Sequence, residues 1–111
     1  MIGGGAIGLG SALSLANFGV EDTAILEPSA DRHAIVEQAG GHRAIEPDRL
    51  DPNGQFDIVI DAVGYASSRA LACKYTRPGG VFVHIGLREA SDGIDSRHLT
   101  LQEITFMDTY T

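Results

Sequence analysis

The sequence predicts a doubly wound parallel α/β sheet of six strands in three αβα layers, and three observations predict it. A glycine-rich bend, Gly3-Gly4-Gly5-Ala6-Ile7-Gly8, is followed at once by apolar residues at helical spacing. Short apolar runs then alternate with helical stretches, the order a parallel sheet needs because each strand must be joined to the next by a crossover. The composition, 43% hydrophobic and only 6% aromatic over 111 residues, suits one compact α/β domain spanning residues 1–111.

Only Met1 and Ile2 precede the bend, where a strand of about five residues is expected. The first strand is therefore predicted to be clipped, and the chain to be a fragment of a longer one or to carry a misplaced start. Ala12, Leu13, Leu15, Ala16 and Phe18 carry the first helix, with Gly19 as its C-cap. Thr23-Ala24-Ile25-Leu26-Glu27 reads as a short buried strand ending in a carboxylate. A second helix follows from Ser29, a suitable N-cap, to about Gln38, closed by Gly40-Gly41. Arg43-Ala44-Ile45-Glu46 gives a third strand, and 47–55 a polar connection with a Pro-Asn-Gly turn.

Residues 56–64, Phe-Asp-Ile-Val-Ile-Asp-Ala-Val-Gly, form a fourth strand, nearly continuous in apolar residues as a parallel strand covered on both faces should be. A helix over 67–76 follows, with Arg69, Lys74 and Arg77 expected on or near its outer face. Pro78-Gly79-Gly80 turns the chain into a fifth strand over 81–87. A polar loop of at most one helical turn spans 88–102, and 104–109 is a sixth, edge strand. Asp108, a charge where a small residue is expected, would blunt that edge against pairing.

Gly3, Gly5 and Gly8 fit G-x-G-x-x-G, in which the three glycines in turn allow a tight turn, leave room for a pyrophosphate at the main chain, and let the helix pack closely on its strand. A diphosphate there would lie on the free N–H groups of the helix N-terminus. Glu27 stands about 20 residues on, where such a unit places the acid that accepts from the adenosine ribose hydroxyls. A carboxylate at that point repels a 2′-phosphate, so NAD is expected rather than NADP. The other reading of Glu27 is a solvated acid at a strand end. Arg32 could reach back toward the ribose or stand as a solvated helix charge. The ends of the fourth and fifth strands should face the ligand crevice, making Val63 and Gly64 walls for the adenosine half and Ile85, Gly86 and Leu87 neighbours of the nicotinamide.

Fifteen acidic against eight basic residues leave a net charge of −7, which argues against nucleic acid or an anionic membrane as partner. No apolar run is long enough to span a bilayer, and no signal peptide is read. Cys73 is the single cysteine. It excludes an internal disulfide and a thiolate zinc cluster, suits a cytoplasmic setting, and reads as a small core residue rather than a nucleophile. Asp61, at a strand end with no paired base, reads as structural. His33, His42, His84 and His98 show no metal-ligand spacing, so no metal site is expected in this chain.

Taken together, Gly3-Gly4-Gly5-Ala6-Ile7-Gly8-Leu9, Glu27-Pro28-Ser29 with Arg32, the 56–64 block and Arg77-Pro78-Gly79-Gly80-Val81 resemble the cofactor-binding domain of zinc-dependent medium-chain alcohol and polyol dehydrogenases. The resemblance implies a six-stranded Rossmann sheet carrying NAD(H), with Gly3, Gly5 and Ala6 on the pyrophosphate and Ile7 behind the nicotinamide. It further implies Glu27 and Arg32 on the ribose, and Ile85, Gly86 and Leu87 at the carboxamide end. In the family a separate domain supplies a catalytic zinc that polarises the oxygen of the alcohol or carbonyl while hydride passes to or from the nicotinamide. That domain is absent here, so the isolated chain is expected to be catalytically silent. The resemblance also implies a homodimer through 104–109.

Three other readings remain at this point. An FAD-binding N-terminus uses the same loop and terminal Glu, a methyltransferase can pair a glycine loop with a strand-end acid, and a nucleotide-binding module can keep the fold without chemistry.

Overall fold

The computed structural model describes residues 1–40, 42–90 and 92–110. The chain divides into two compact units, Met1–Pro52 and Asn53–Thr111, each built of parallel strands and the helices between them.

In the first unit, helix α1 (Ala6–Asn17) begins directly after the glycine bend. It ends in a Schellman arrangement: Gly19, at φ +95°, donates its N–H to Ala16 O at 3.0 Å, and Val20 N–H reaches Leu15 O at 3.0 Å. Strand β1 (Ala24–Leu26) pairs in parallel with β2 (Arg43–Ile45), and α2 (Ala30–Gly40) is the crossover between them. Ser29 takes the position before α2, as expected. Gly41, expected to close α2 with Gly40, lies outside the described residues. Ala12, Ile25 and Val36, one from each of α1, β1 and α2, form the fully buried centre of this unit, with Met1, Leu9 and Ala44 packed against it. A 3-10 turn, Pro47–Arg49, occupies part of the expected polar connection.

The second unit is a three-stranded parallel sheet in the order β3-β4-β5: β3 (Phe56–Asp61), β4 (Thr76–His84) and β5 (Thr105–Asp108). Helix α3 (Ala66–Tyr75) is the crossover from β3 to β4, and α4 (Ser96–Leu101) lies in the connection from β4 to β5. Val59, Ile60, Ala72, Cys73, Phe82 and Leu99 are buried, and Phe82 meets Phe106 edge to face at 5.0 Å between ring centroids.

Three expectations need correction. The described residues form five strands, not six, because Ile2 contributes only an isolated bridge to Leu26; two residues ahead of a bend cannot make a ladder. Pro78-Gly79-Gly80 does not precede the next strand but lies inside β4. There the register slips between Phe56↔Thr76 and Ile58↔Val81, and Gly79 donates its N–H to Gln102 O at 2.8 Å. The glycines form a bulge, and a Cβ on Gly80 would lie 2.8 Å from Asp57 O. The expected polar loop contains α4, whose N-terminus Asp95 caps by accepting the His98 N–H at 3.0 Å.

Candidate functional site

The first group of predicted residues comes together in the first unit. Gly3 takes φ +99°, the left-handed turn for which glycine suits. Gly5 is the N-cap of α1 in an extended conformation, no side chain caps the helix, and its first turn carries no acid. The helix therefore presents N–H donors and the positive end of its dipole, with Ala6 and Ile7 exposed there and Gly8 buried on the strand side.

Glu27 follows β1 and is only 3% exposed. Its Oε1 accepts from the Gly4 N–H at 3.3 Å and from Arg32 Nη1 at 3.2 Å, while Oε2 accepts from the Ser29 N–H at 2.9 Å. Burial pushes its carboxyl up. The Ser29 N–H, the Arg32 guanidinium and the Gly4 N–H outweigh that effect, so the group titrates below the usual carboxylate range. Gly4 is tight for the same reason. A Cβ there would lie 3.1 Å from Val36 Cγ2 and 3.2 Å from Glu27 Cβ, so a side chain would lever the bend off the carboxylate. Arg32 Nη1 stands 3.9 Å from the Cβ position of Gly5, which brings a cation to the helix entrance.

The second group lies in the second unit. Asp61 is fully buried and acts as a structural hub, as expected: Oδ1 accepts from the Val63 and Gly64 N–H groups at 2.9 and 3.1 Å, and Oδ2 from Ser68 Oγ at 3.0 Å. Its carbonyl accepts from the N–H groups of Ile85 and Gly86 at 2.9 and 3.1 Å. One residue at the end of β3 thus fixes both loops that carry Val63, Gly64, Ile85, Gly86 and Leu87. Gly64 and Gly86 are buried, whereas Leu87 is 70% exposed and available to a ligand.

Residues 6–111 match the family model described as zinc-binding dehydrogenase. The chain belongs to the zinc-binding dehydrogenase family. A glucose 1-dehydrogenase of Thermoproteus tenax is 34% identical over 89 residues, which cover 78% of this chain and 25% of that protein. Among solved structures, a protein of Sinorhizobium meliloti 1021 with NADP bound superposes with a TM-score of 0.85 at 21% identity, covering 97% of this chain and 35% of that one. A short chain alcohol dehydrogenase from E. coli CFT073 complexed with NADH gives 0.85 at 18% identity, covering 97% and 34%. These two likenesses show the fold, and the chain spans about a quarter to a third of the length of such proteins.

The first group of this dehydrogenase-family chain has the donor set that a dinucleotide needs. A diphosphate asks for donors, met by the uncapped helix start and by Arg32, whose side chain is 57% exposed. A ribose diol asks for acceptors. A carboxylate has about four lone-pair sites, of which the protein occupies three at Glu27.

One sequence expectation fails outright. Arg69 is not on the outer face of α3 but 3% exposed, while Lys74 and Arg77 are exposed as expected. Its Nε donates to His84 Nε2 at 3.1 Å, and its terminal nitrogens donate to main-chain carbonyls of Gly64, Glu89 and Asp92. The helical period carried the signal: Ser68, Arg69, Ala72 and Cys73 recur at i, i+1, i+4 and i+5, so Arg69 shares the buried stripe.

Proposed function

We propose that this chain is the NAD-binding domain, of Rossmann type, of a dehydrogenase that moves hydride between NAD and an alcohol or polyol. The observation that carries the reading is the grip of Glu27 on Gly4, which ties the ribose-directed carboxylate to the phosphate-directed bend. On this reading Gly3, Gly5 and Ala6 line the pyrophosphate, buried Gly4 and Gly8 let the bend and the helix sit close enough to reach it, Ile7 backs the nicotinamide, and Glu27 and Arg32 hold the ribose. Val63 and Gly64 wall the adenosine half, and Ile85, Gly86 and Leu87 meet the carboxamide. Bound NAD would accept or supply the hydride, with zinc held by another domain of the whole protein. The substrate class rests on the family and on relatives that act on alcohols and a sugar.

Glu27 favours NAD, because its low-titrating carboxylate stays charged at neutral pH and repels a 2′-phosphate. Arg32 works against that preference only if it leaves Glu27. Calorimetric titration with NAD and NADP tests both points. Saturable NAD binding, at least tenfold (about 1.4 kcal/mol) tighter than NADP, is the expected result. Equal affinities overturn the NAD preference, and no binding of either overturns the site.

The same proposal includes a cytoplasmic setting, consistent with one buried cysteine, and pairing of two copies through β5, which stands at the edge of its sheet. Sedimentation at high concentration checks the pairing, and a strict monomer removes it.

A further inference from the structure

We infer that Arg69 is a positioning residue for the loop after β4, and that the neutral, Nδ1-protonated form of His84 keeps it in place. An arginine this deeply buried is rare and ordinarily faces a carboxylate. The four acceptors that Arg69 reaches are instead an imidazole nitrogen and three main-chain carbonyls. Those carbonyls belong to Gly64 after β3 and to Glu89 and Asp92 after β4, so one guanidinium ties together both loops of the second group. The Glu89 N–H adds a bond to Gly64 O at 2.9 Å, and the loop lies so close on α3 that a Cβ on Gly93 would be 2.2 Å from Ala66 O.

His84 sets the condition for this arrangement. A guanidinium only donates, so His84 Nε2 must be the bare, accepting nitrogen toward Arg69 Nε. The ring proton then sits on Nδ1 and is donated to Asp108 Oδ1 at 2.9 Å. Arg69 on α3 and Asp108 on β5 therefore fix one tautomer from opposite sides, and Phe82 and Phe106 flank the ring. The remaining charged groups near it are already engaged. Asp61, its register partner on β3, is taken up by Val63, Gly64 and Ser68, and the Glu89 carboxylate accepts from the Ala66 N–H at 2.9 Å.

A second proton on His84 turns Nε2 into a donor facing another donor and places two cations in contact. Asp108 gains an ion pair, but Arg69 loses an acceptor that nothing else replaces. The guanidinium then shifts, and its carbonyl tethers on Glu89 and Asp92 loosen. Only the consequence for the cofactor rests on the proposed function: the wall formed by Ile85, Gly86 and Leu87 becomes less well placed in acid.

The test uses the whole chain without cofactor. Imidazole nitrogen NMR reads the His84 tautomer, and amide exchange of Glu89 is followed from about pH 8 to 5, the range in which imidazoles change charge, after correction for intrinsic rates. The expected result is an Nδ1–H tautomer near neutral pH. Glu89 protection should then fall about tenfold on acidification, the size of one charged hydrogen bond, while Leu99 in α4 is spared. His84→Gln offers a carbonyl to Arg69 and does not titrate, so it should keep Glu89 protected and flatten the profile. Arg69→Lys, which cannot reach four acceptors, should lose the protection already at neutral pH. An Nε2–H tautomer, or the same pH profile in His84→Gln, overturns the inference, and His84→Gln decides it if Arg69→Lys fails to fold. Repeating the titration with NAD separates the two readings. If NAD never binds while Glu89 behaves as described, the proposed function falls and the latch stands.

Discussion

Gly64 and Gly86 touch backbone to backbone. A Cβ on Gly86 would lie 2.2 Å from the carbonyl carbon of Val63, and one on Gly64 would lie 2.2 Å from the carbonyl carbon of Gly86. Neither obstacle is a side-chain tip that could turn away, so the loops after β3 and β4 approach this closely only because both residues lack a side chain.

Gly86→Ala should therefore destabilise the protein by about 1–3 kcal/mol, the usual cost of overpacking. Gly64→Ala should cost more, because φ +82° is also strained for alanine. Gly10 supplies the control. It lies in α1 with nothing within 4 Å of its Cβ position. Gly10→Ala should stabilise by about 0.5–1 kcal/mol. Urea denaturation of the three variants gives the ranking, and a neutral Gly86→Ala would refute the backbone contact.

Glu27 should make stability depend on pH in one direction. Its folded-state value is depressed below the unfolded value of about 4.3. The stabilisation is therefore fully present above that pH and is lost as pH falls through the folded value. Glu27→Gln removes the charge and turns an amide N–H₂ toward a donor. The variant should be less stable than the parent at neutral pH, with the difference shrinking below about pH 4. Urea midpoints across pH measure it. A difference that is constant with pH would mean that the charge contributes nothing.

Cys73 should be slow to react. It is 4% exposed, and burial pushes its thiol up, with Asp95 adding smaller effects, so little thiolate is present at neutral pH. An aromatic disulfide reagent should label the folded chain slowly and the urea-unfolded chain fast. Equal rates would place the thiol at the surface.

What could be read from the sequence was what local spacing encodes. The distance from the glycine bend to Glu27 is set by one helix and one strand, so their meeting at Gly4 was legible. The burial of Arg69 was signalled by the helical spacing of Ser68, Arg69, Ala72 and Cys73, but its role was not legible, because its partners lie at 64, 84, 89 and 92, brought there by the β3-β4 crossover. Pro78-Gly79-Gly80 was read as a turn ahead of a strand starting at Val81, but it is a bulge within the strand. Its position inside β4 depends on how a neighbouring strand pairs on either side of it, which no local signal carries. Asp108, read as a charge that blunts an edge, has a specific partner in His84 on the adjacent strand. Helix α4 was anticipated as at most one turn and is longer, because Leu99 is its single buried residue, too little for a hydrophobic period to show its extent.

That short helix supplies the last prediction. Six residues make too few internal hydrogen bonds to hold a helix alone, so α4 depends on its cap, its one buried leucine and its contact with α3. Asp95 accepts the His98 N–H at 3.0 Å, and His98 Nε2 lies 3.1 Å from the Cys73 carbonyl, so the cap and the cover over Cys73 share one residue. Asp95→Ala should cost about 1 kcal/mol and raise the Cys73 labelling rate in the folded protein. Asp95→Asn, which keeps a capping oxygen, should restore both. If Asp95→Ala lowers stability without speeding the labelling, α4 is capped as described but does not protect the thiol.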